Sequence, residues 1–448
     1  MSPIVSDNPR LVAFNALKKI SEGSLTPEEA LEKLGSLLSS KDKALAAALV
    51  YECERHRSRL DFIFESKLRD KSNIKSILKI ILRLGVCQLL FLDKVPDYAA
   101  VSQTVDLTKN IIPGLDKLVN AVLMAVIRDK AQAPCWPVET DQSKREPVER
   151  LAIFYSHPLW MVKNLAAQLG LRETRALLAA NNVHPGPSLR VNPLKIDRSD
   201  FIKCFSPSAE PTLLSPWGLK GLKWEGRVEN WPGYKQGLFA IQDEASQLLP
   251  LICANPETII DCCAGLGGKA LALAGVFPQS SILCLDKHSW RLQSLVKEAQ
   301  RLGLKAPKTM AVDLLTINSS DLGQFSLALL DAPCSGLGVI RRRPDLKWRK
   351  NPGDPARLGK MQLRMLLKAA ELTAPGGRLI YSVCTITSEE GPEVIKRFLA
   401  HRQDFRPLKN FEMESSFLSL CVGTGQLRLW PHKHDTDGFF YALMERKL

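Results

Sequence analysis

Two cysteines and one aspartate follow two apolar segments of the chain in a way that suits covalent chemistry. Cys334 comes shortly after the apolar run that ends at Asp331, and Cys384 follows the run from Leu379 to Val383. If both runs are parallel strands of one sheet, the two thiols emerge at the edge where open α/β sheets bind their ligands. The pattern therefore favours either nucleophilic catalysis at that edge or two structural thiols buried in a core.

A glycine-rich turn earlier in the chain has the composition of a ligand-binding loop. Its residues are Cys263, Ala264, Gly265, Leu266, Gly267, Gly268 and Lys269. Glycines let a ligand approach the backbone closely, and the amino terminus of the helix that follows favours a carboxylate or a phosphate. Asp286 ends the next predicted strand, where an acid can bind both hydroxyls of a ribose, and Asp313 ends the third, where it can meet an adenine edge. Ala270 replaces the Ser or Thr of a phosphate-binding P-loop, which leaves a dinucleotide or S-adenosylmethionine as the ligand.

The segments that must position these residues alternate between strand and helix from about Glu257 onward. Strands are predicted at Thr258 to Cys263, Ser281 to Asp286, Lys308 to Asp313, Ser326 to Asp331, Arg378 to Val383 and Gly438 to Glu445. This alternation favours a parallel, doubly wound α/β sheet of the Rossmann-like kind.

The first part of the chain has helical periodicity and almost no strand signal. Thr26 and Glu29 form a capping-box pattern around a proline, which predicts the start of a helix. Further helices are predicted at Lys41 to Tyr51, Leu60 to Leu68, Ile74 to Leu92, Ala99 to Asn110 and Leu115 to Arg128. The segment from Ile77 to Leu92 is apolar on nearly every side, so we expect it to be the central helix of a small all-α bundle, with Cys87 packed inside.

The composition changes twice between the helical region and the predicted sheet. Residues 131–150 are rich in proline and polar residues, which is typical of a linker. Residues 151–235 read as a small α+β region with a helical stretch and a strand at Ser188 to Asn192. Trp217, Trp224 and Trp231 in this region could stack on bases, but core packing is the commoner role of tryptophan. The predicted domains are therefore 1–130, 151–235 and 236–448, with 131–150 as the linker.

Charge and composition limit the class of protein. The 448 residues carry a formal net charge of +14 and are 45% hydrophobic, which predicts a globular protein with a polyanionic partner such as a nucleic acid. No apolar run reaches the length of a membrane span and the first residues lack a signal-peptide pattern, so we expect a cytoplasmic protein that does not bind membranes. The 11 cysteines form no Cys-x-x-Cys pair and no His-Glu-x-x-His motif occurs, so no metal is expected.

Arg341 to Lys350, here called the basic strip, holds six basic residues, one acidic residue and an aromatic side chain. Because it comes just after Cys334, it suits an RNA backbone and a stacked base. The predicted RNA-binding residues are Arg341, Arg342, Arg343, Lys347 and Trp348. A solvated basic loop is the alternative interpretation.

The front helices resemble the NusB-like RNA-binding domain in the phrases Leu82 to Pro96, Tyr98 to Val101 and Val119 to Leu123. The resemblance implies that this domain helps to dock structured RNA. Its candidate phosphate contacts are Arg10, Arg55, Arg57, Arg59 and Lys109.

Three motifs of the sheet region resemble those of the RNA 5-methylcytosine methyltransferases. Asp261 to Lys269 is similar to the first motif of that family, Leu329 to Gly336 to the fourth, and Tyr381 to Thr385 to the sixth. Gly265 and Leu266 stand where the first motif usually has an alanine and a proline. With the NusB-like front end, the likeness covers nearly the whole chain.

The resemblance implies a class I methyltransferase domain, S-adenosylmethionine as cofactor and a cytosine of 16S ribosomal RNA, methylated at carbon 5, as substrate. In that family the sixth-motif cysteine attacks the base and the fourth-motif cysteine assists release, which assigns attack to Cys384 and release to Cys334. Asp331 would contact the ring nitrogen of the cytosine as well as the cofactor. Lys269 is a plausible source of positive charge for the reactive thiolate. We expect the protein to act as a monomer.

Alternatives remain at two points. The roles of the cysteines could be reversed, with Cys334 attacking as in DNA cytosine methyltransferases. The chain could also be an RNA chaperone or antitermination-type factor that keeps an inactive methyltransferase fold. A Rossmann-type dehydrogenase explains the glycine turn but not the strand that ends before Cys384.

Overall fold

The computed structural model describes residues 6–71, 74–132, 145–224, 226–408 and 419–448. The chain divides into two compact units. The first, here called the helical unit, comprises Met1–Val183 and Ile340–Pro352, and the second, the sheet unit, comprises His184–Val339 and Gly353–Leu448. Among the described residues, no helix combines the length and the apolar character that crossing a bilayer requires.

The helical unit is all-α in its described residues, and its first part is the bundle predicted for residues 1–130. Its helices are α1 (Pro9–Ser21), α2 (Pro27–Leu34), α3 (Ser40–Arg55), α4 (Arg57–Glu65), α5 (Ser76–Phe91), α6 (Asp97–Ile111), α7 (Asp116–Gln132), α8 (Pro147–Phe154) and α9 (Leu159–Asn181). The basic strip contributes one further helical turn, Leu346–Arg349. Residues 133–144 of the predicted linker lie outside the described residues, so the linker stays a prediction.

Local sequence explains several of these helices. Thr26 caps α2, and its hydroxyl and the Glu29 carboxylate satisfy each other's backbone amides in the predicted capping box. The apolar helix α5 is central as predicted, with Cys87 fully buried in it. Gly85 lets α5 pack closely, because a Cβ at this position would lie 2.7 Å from a methyl carbon of Leu123 in α7.

The first part of the sheet unit is a small antiparallel sheet. Its strands are β1 (Leu189–Val191), β2 (Glu210–Pro211), β3 (Gly218–Lys220) and β4 (Phe239–Ile241), in the order β2-β3-β1-β4. Helix α10 (Arg198–Phe205) packs on it through the fully buried Phe201. Trp224 and Trp231 pack against this apolar core, which agrees with the commoner of the two roles considered for these tryptophans.

A large mixed sheet forms the rest of the sheet unit. In chain order its elements are α11 (Glu244–Gln247), β5 (Thr258–Asp261), α12 (Gly268–Val276), β6 (Ser281–Asp286), α13 (Ser289–Leu302), β7 (Lys308–Ala311), β8 (Phe325–Asp331), α14 (Asp354–Glu371), β9 (Thr373–Val383), α15 (Pro392–His401), β10 (Phe405–Pro407), β11 (Cys421–Gly423), β12 (Gln426–Leu429), α16 (Pro431–His434) and β13 (Phe439–Arg446). Short 3₁₀ helices occur at Val228–Asn230, Leu249–Ile252 and Ser319–Asp321.

The strand order of the large sheet is β11-β12-β13-β9-β8-β5-β6-β7, and β10 also pairs with β13. All six predicted strands are present. The five neighbouring strands β7, β6, β5, β8 and β9 are parallel to one another. β13 pairs antiparallel with β9, so the sheet is mixed rather than wholly parallel. Strands β10 to β12 were not predicted. Each has only three or four residues, too few to show a periodic pattern.

Candidate active site

The two cysteine turns leave one edge of the large sheet side by side. β8 and β9 are parallel, with Asp331 opposite Ser382, so the turns that follow the two strands emerge together. The Sγ atoms of Cys334 and Cys384 lie 3.3 Å apart although the residues are 50 positions apart in the chain. The structure thus brings the two thiols together at one edge of the sheet, as the sequence predicts.

An ion pair lies next to the thiols. Lys269 Nζ donates a hydrogen bond of 2.7 Å to Asp331 Oδ2, and the Ser382 hydroxyl donates one of 2.8 Å to Asp331 Oδ1. Burial disfavours the charge on Lys269, but the Asp331 carboxylate outweighs burial and raises the pKa of Lys269, and a thiolate at Cys384 acts in the same direction. Lys269 is therefore a fixed cation within electrostatic reach of Cys384.

The environment of Cys334 favours its protonated form. The hydrogen bond with Cys384 is the largest cause that raises the pKa of Cys334 well above its usual value, and burial and the charges of a Cys384 thiolate and Glu390 add to it. Cys334 therefore stays protonated and can donate a hydrogen bond to the sulfur of Cys384.

A buried glutamate that the sequence analysis did not single out contacts both cysteine turns. Glu390 is fully buried, and its carboxylate accepts hydrogen bonds from the Ser335 amide (2.7 Å) and the Ser335 hydroxyl (2.5 Å). It also accepts one from the Thr385 hydroxyl at 3.1 Å. Because Ser335 follows Cys334 and Thr385 follows Cys384, one carboxylate holds the residue next to each thiol.

Side chains from α14 and β9 hold Glu390 in turn. Gln362 Nε2 lies 3.0 Å from both Glu390 Oε1 and the Pro333 carbonyl oxygen. The hydroxyl of Tyr381 lies 2.6 Å from the Glu390 carbonyl oxygen and 3.0 Å from Gln362 Oε1. No local pattern identifies this network, since Glu389 and Glu390 are identical in type and only the fold buries the second one.

Two glycines bring the end of the Cys334 turn against the start of β13. Gly338 N donates to the Cys384 carbonyl oxygen at 3.0 Å, and Gly438 N donates to the Gly338 carbonyl oxygen at 2.8 Å. A Cβ on Gly338 would lie only 1.9 Å from the Gly438 carbonyl oxygen. Any larger residue at position 338 therefore has to displace the turn.

The predicted cofactor loop connects β5 to α12. Gly265 and Gly267 have φ angles of 56° and 87°, in the left-handed region that favours glycine. A Cβ on Gly265 would meet nothing within 4 Å, so the backbone there borders open space, whereas one on Gly267 would lie 2.4 Å from Leu295. Cys263 and Ala264 lie near the start of this loop and the exposed Leu266 lies within it. Gly268 and Lys269 are the first residues of α12, and Lys269 turns toward Asp331.

Two of the predicted ligand-binding acids lie at neighbouring strand ends. Asp286 ends β6, and its carboxylate accepts hydrogen bonds from Gly265 N (3.1 Å) and His288 N (2.8 Å). Asp313 is exposed, two residues beyond the end of β7, and accepts one from Leu315 N at 2.9 Å. Each carboxylate oxygen has a second lone pair, so both acids can accept further hydrogen bonds from a ligand.

Asp261, at the end of β5, is a further acid beside this loop. Burial, reinforced by the nearby Asp331 charge, raises the pKa of Asp261 to about 7. Its carboxylate accepts a hydrogen bond of 3.2 Å from Cys263 N. Asp261 therefore fixes the first residue of the loop.

The basic strip belongs to the helical unit, where it covers the carboxyl end of α3. Lys347 is fully buried, and its Nζ donates to the carbonyl oxygen of Arg55 (2.7 Å) and to Asn182 Oδ1 (3.3 Å). Arg341 is also buried, and its carbonyl oxygen accepts a hydrogen bond from the Arg55 guanidinium at 3.1 Å. In this structure Lys347 and Arg341 are therefore not the solvent-facing RNA contacts that the sequence suggested, because the last carbonyls of a helix need donors and the strip supplies them.

The other members of the strip are more accessible. Trp348 Nε1 donates to the Glu54 carbonyl oxygen at 2.7 Å, and the guanidinium of Arg57 lies 5.4 Å from the centre of the indole. Arg342 is half-buried and the side chain of Arg343 is 38% exposed. RNA binding by Arg342, Arg343 and Trp348 stays a prediction.

The five candidate phosphate contacts of the front helices also divide by burial. Arg55 is buried against the basic strip, so it does not face solvent. Arg10, Arg57 and Arg59 are half-buried, while Lys109 is exposed and pairs with Asp106. Within the described ranges, no group of three or more His, Cys, Asp or Glu side chains could hold a metal ion.

An α-helical bundle, a small antiparallel sheet and a mixed sheet with this edge are the architecture of a Rossmann-like methyltransferase with a NusB-like front domain. The family models divide the chain in the same order. The NusB family matches residues 7–128, a ferredoxin-like domain of RsmF/B-like methyltransferases matches 157–220, and the 16S rRNA methyltransferase RsmB/F matches 248–445. The chain belongs to this family of 16S rRNA methyltransferases.

Relatives match the chain over its whole length. It is 35% identical over 451 residues to the probable ribosomal RNA small subunit methyltransferase B of Synechocystis, which covers 98% of this chain and 99% of the relative. It is 32% identical over 449 residues to the corresponding protein of Bacillus subtilis, which covers 98% of both. The crystal structure of PH0851 has the same fold, with a TM-score of 0.77, 24% identity and coverage of 99% of this chain and 100% of the other.

Proposed function

We propose that the protein transfers a methyl group from S-adenosylmethionine to carbon 5 of a cytosine in 16S ribosomal RNA, through a covalent bond between Cys384 and carbon 6 of the base. The observation that carries the proposal is the 3.3 Å separation of the Cys334 and Cys384 sulfurs at adjoining strand ends. Membership of a 16S rRNA methyltransferase family supports the substrate class.

The chemistry explains why a thiol is needed. Carbon 5 of cytosine is a poor nucleophile until another group adds at carbon 6. Addition of the Cys384 thiolate at carbon 6 makes carbon 5 electron-rich, so that one difficult step becomes two easier ones. After methylation, the proton on carbon 5 leaves to a base and the Cys384–carbon 6 bond breaks, which restores the aromatic ring and the thiolate.

The unequal environments of the thiols support distinct roles. Cys334 holds its proton as long as Cys384 is a neighbouring thiolate, because the hydrogen bond and the charge of Cys384 raise the pKa of Cys334. Once Cys384 has become a thioether, both causes disappear and Cys334 loses its proton more easily. Cys334 therefore becomes available as the base for the carbon 5 proton only after Cys384 has attacked.

Asp331 and Lys269 complete the proposed site. The side chain of Asp331 is one-third exposed, and the hydrogen bonds from Lys269 and Ser382 fix its direction. In this proposal its carboxylate contacts the ring nitrogen that gains electron density when carbon 6 is attacked. Lys269, whose pKa is raised mainly by the Asp331 carboxylate against the effect of burial, supplies a positive charge close to Cys384.

The residues around the glycine turn fit S-adenosylmethionine, which supplies the methyl group when bound. The open backbone at Gly265 gives a ligand close access to the turn. Asp286 and Asp313 offer carboxylate oxygens for the ribose hydroxyls and the adenine edge, and Asp331 lies on the side toward the thiols. Cys263, Ala264, Leu266, Gly267, Gly268 and Lys269 would form the remainder of the cofactor site.

The test compares Cys334→Ala with Cys384→Ala in the full-length protein, incubated with transcribed 16S rRNA and S-adenosylmethionine. Cys334→Ala should accumulate a protein–RNA adduct that survives denaturing electrophoresis, because release is blocked. Cys384→Ala should form no adduct and no 5-methylcytosine. The opposite pattern would show that Cys334 attacks, and wild-type protein that makes no 5-methylcytosine would favour an RNA-binding factor.

A further inference from the structure

Building on the proposed function, we infer that Glu390 is a positioning residue that sets the separation of the two reacting thiols. Its carboxylate touches neither sulfur in the structure. Instead it joins the residues that follow the two cysteines, Ser335 and Thr385, inside the protein. It therefore acts on the reaction through the two turns.

The hydrogen bonds of Glu390 divide between its two oxygens. Oε1 accepts from the backbone amide of Ser335 and from Gln362 Nε2, which have no lone pair to offer in return. Oε2 accepts from the hydroxyls of Ser335, Thr385 and Thr387, with the last at 3.0 Å. Hydroxyls can both donate and accept hydrogen bonds. If glutamine replaced Glu390, its amide nitrogen could therefore be accommodated only at the position of Oε2.

This arrangement stabilises a negative charge with uncharged donors alone. Burying a carboxylate is costly unless its lone pairs are satisfied, and five donors surround Glu390. Moving either turn away would leave part of a buried charge without a partner. The two turns therefore resist separation, which keeps Cys334 and Cys384 close together.

Precise spacing matters because the two thiols act on neighbouring carbons of one ring. Cys384 must reach carbon 6 from one face, while Cys334 must reach the proton on carbon 5. A misplacement of about 1 Å in such an arrangement typically costs about 10²-fold in rate. A residue that only fixes the turns should therefore change the chemical steps and leave RNA binding intact.

The test compares three variants of the full-length protein: Glu390→Asp, Glu390→Gln and, as a control, Glu389→Gln at the neighbouring half-buried position. Glu390→Asp keeps the charge but is one methylene too short to reach both turns. Glu390→Gln keeps the length and can place its nitrogen toward the hydroxyls. Positioning predicts a fall in kcat of about 10²-fold for Asp, a fall of less than about 10-fold for Gln and no change for Glu389→Gln, with KM for 16S rRNA unchanged.

Adduct formation provides the second measurement. In the Cys334→Ala background, adding Glu390→Asp should slow the appearance of the protein–RNA adduct, while adding Glu390→Gln should restore most of the rate. If Glu390→Gln is impaired more than Glu390→Asp, the charge of the side chain is important and not its length, and the positioning role is wrong. It is equally overturned if the loss of activity only parallels a loss of folded protein in thermal unfolding.

The controls separate this inference from the proposed function. If the Cys334→Ala parent forms no adduct, the covalent mechanism itself fails, whatever the Glu390 variants do. If the parent forms adduct and Glu390→Asp forms it equally fast, only the positioning role is refuted.

Discussion

The Cys334 turn and the basic strip follow each other directly in the chain, yet they use polar residues in opposite ways. In the turn, buried hydrogen bonds from Ser335 to Glu390 hold the residue next to the proposed reactive thiol near the sheet edge. In the strip, the fully buried Lys347 and the half-buried, uncharged Trp348 support the fold by donating to the last carbonyls of α3. Residue type alone therefore does not separate a group that reacts from one that supports the fold.

The electrostatics of the two regions differ accordingly. Lys269 is buried beside a carboxylate, which raises its pKa and keeps it charged. Lys347 is buried against neutral carbonyls, and burial followed by the Arg55 charge lowers its pKa well below the usual value. The first arrangement suits catalysis and the second suits structure, so variants in the turns should change turnover and variants in the strip should change stability.

The largest effect is expected at Cys384. Cys384→Ala should reduce methylation by about 10³-fold or more, because it removes the nucleophile. Its thermal unfolding temperature should shift by only a few degrees, since the side chain is half-buried and small. Incorporation of labelled methyl groups measures turnover, and differential scanning fluorimetry measures the unfolding temperature. Normal turnover would show that Cys384 is not the nucleophile.

The next effect concerns Asp331. Asp331→Asn removes the charge that faces Lys269 and should lower kcat by about 10²-fold while the protein stays folded. Asp435→Asn is a matched control, because Asp435 forms an exposed ion pair with Lys220 and tolerates asparagine in its left-handed backbone conformation. Equal kcat values for the two variants would argue against a role for Asp331.

In the basic strip, Lys347→Ala should destabilise the helical unit by about 2–4 kcal/mol. It leaves a cavity and deprives the Arg55 carbonyl and the Asn182 side chain of a donor. Urea unfolding followed by circular dichroism measures this loss. Lys350→Ala, half-buried in the same strip, should cost less than about 0.5 kcal/mol, and a similar loss for both would show that Lys347 has no special structural role.

The pH dependence of stability adds a sharper test of Lys347. Its pKa is lower in the folded protein than in the unfolded chain, so the unfolded chain binds more protons between the two values. Stability of the wild type should therefore rise with pH toward about 10, the usual lysine pKa. Lys347→Met should lack this rise in urea unfolding measured at pH 7 and pH 9.5. An equal change of stability with pH in the two proteins would contradict a lowered pKa of Lys347.

The smallest effect is expected from the more exposed arginines of the strip. Changing Arg342 and Arg343 together to alanine should weaken 16S rRNA binding several-fold and make its salt dependence shallower by about 2 in the log–log slope. Filter binding between low and high salt measures both quantities. Lys203→Ala, an exposed lysine of the sheet unit, serves as the control. Unchanged affinity would leave the strip with a structural role alone.

The sequence predicts those features whose causes are local. The capping box of Thr26, the apolar faces of α5 and the strand ends at Asp286 and Asp331 depend on residues close together in the chain. The role of Glu390 and the burial of Lys347 depend on partners far away, 55 residues from Ser335 and 292 from Arg55. No periodicity in the sequence indicates such pairs, so a run of basic residues predicts surface contacts even where the fold buries some of its members.

The contact between Gly338 and Gly438 has a consequence for the order in which the chain is synthesised. The carbonyl of Gly338 is held by an amide that leaves the ribosome only after nearly all of the sheet unit has been made. A nascent chain that already displays both cysteines therefore has no closed turn around them. The hydrogen bond that closes the turn therefore forms only once β13 lies beside β9, so the strand made last completes the edge where the two thiols lie.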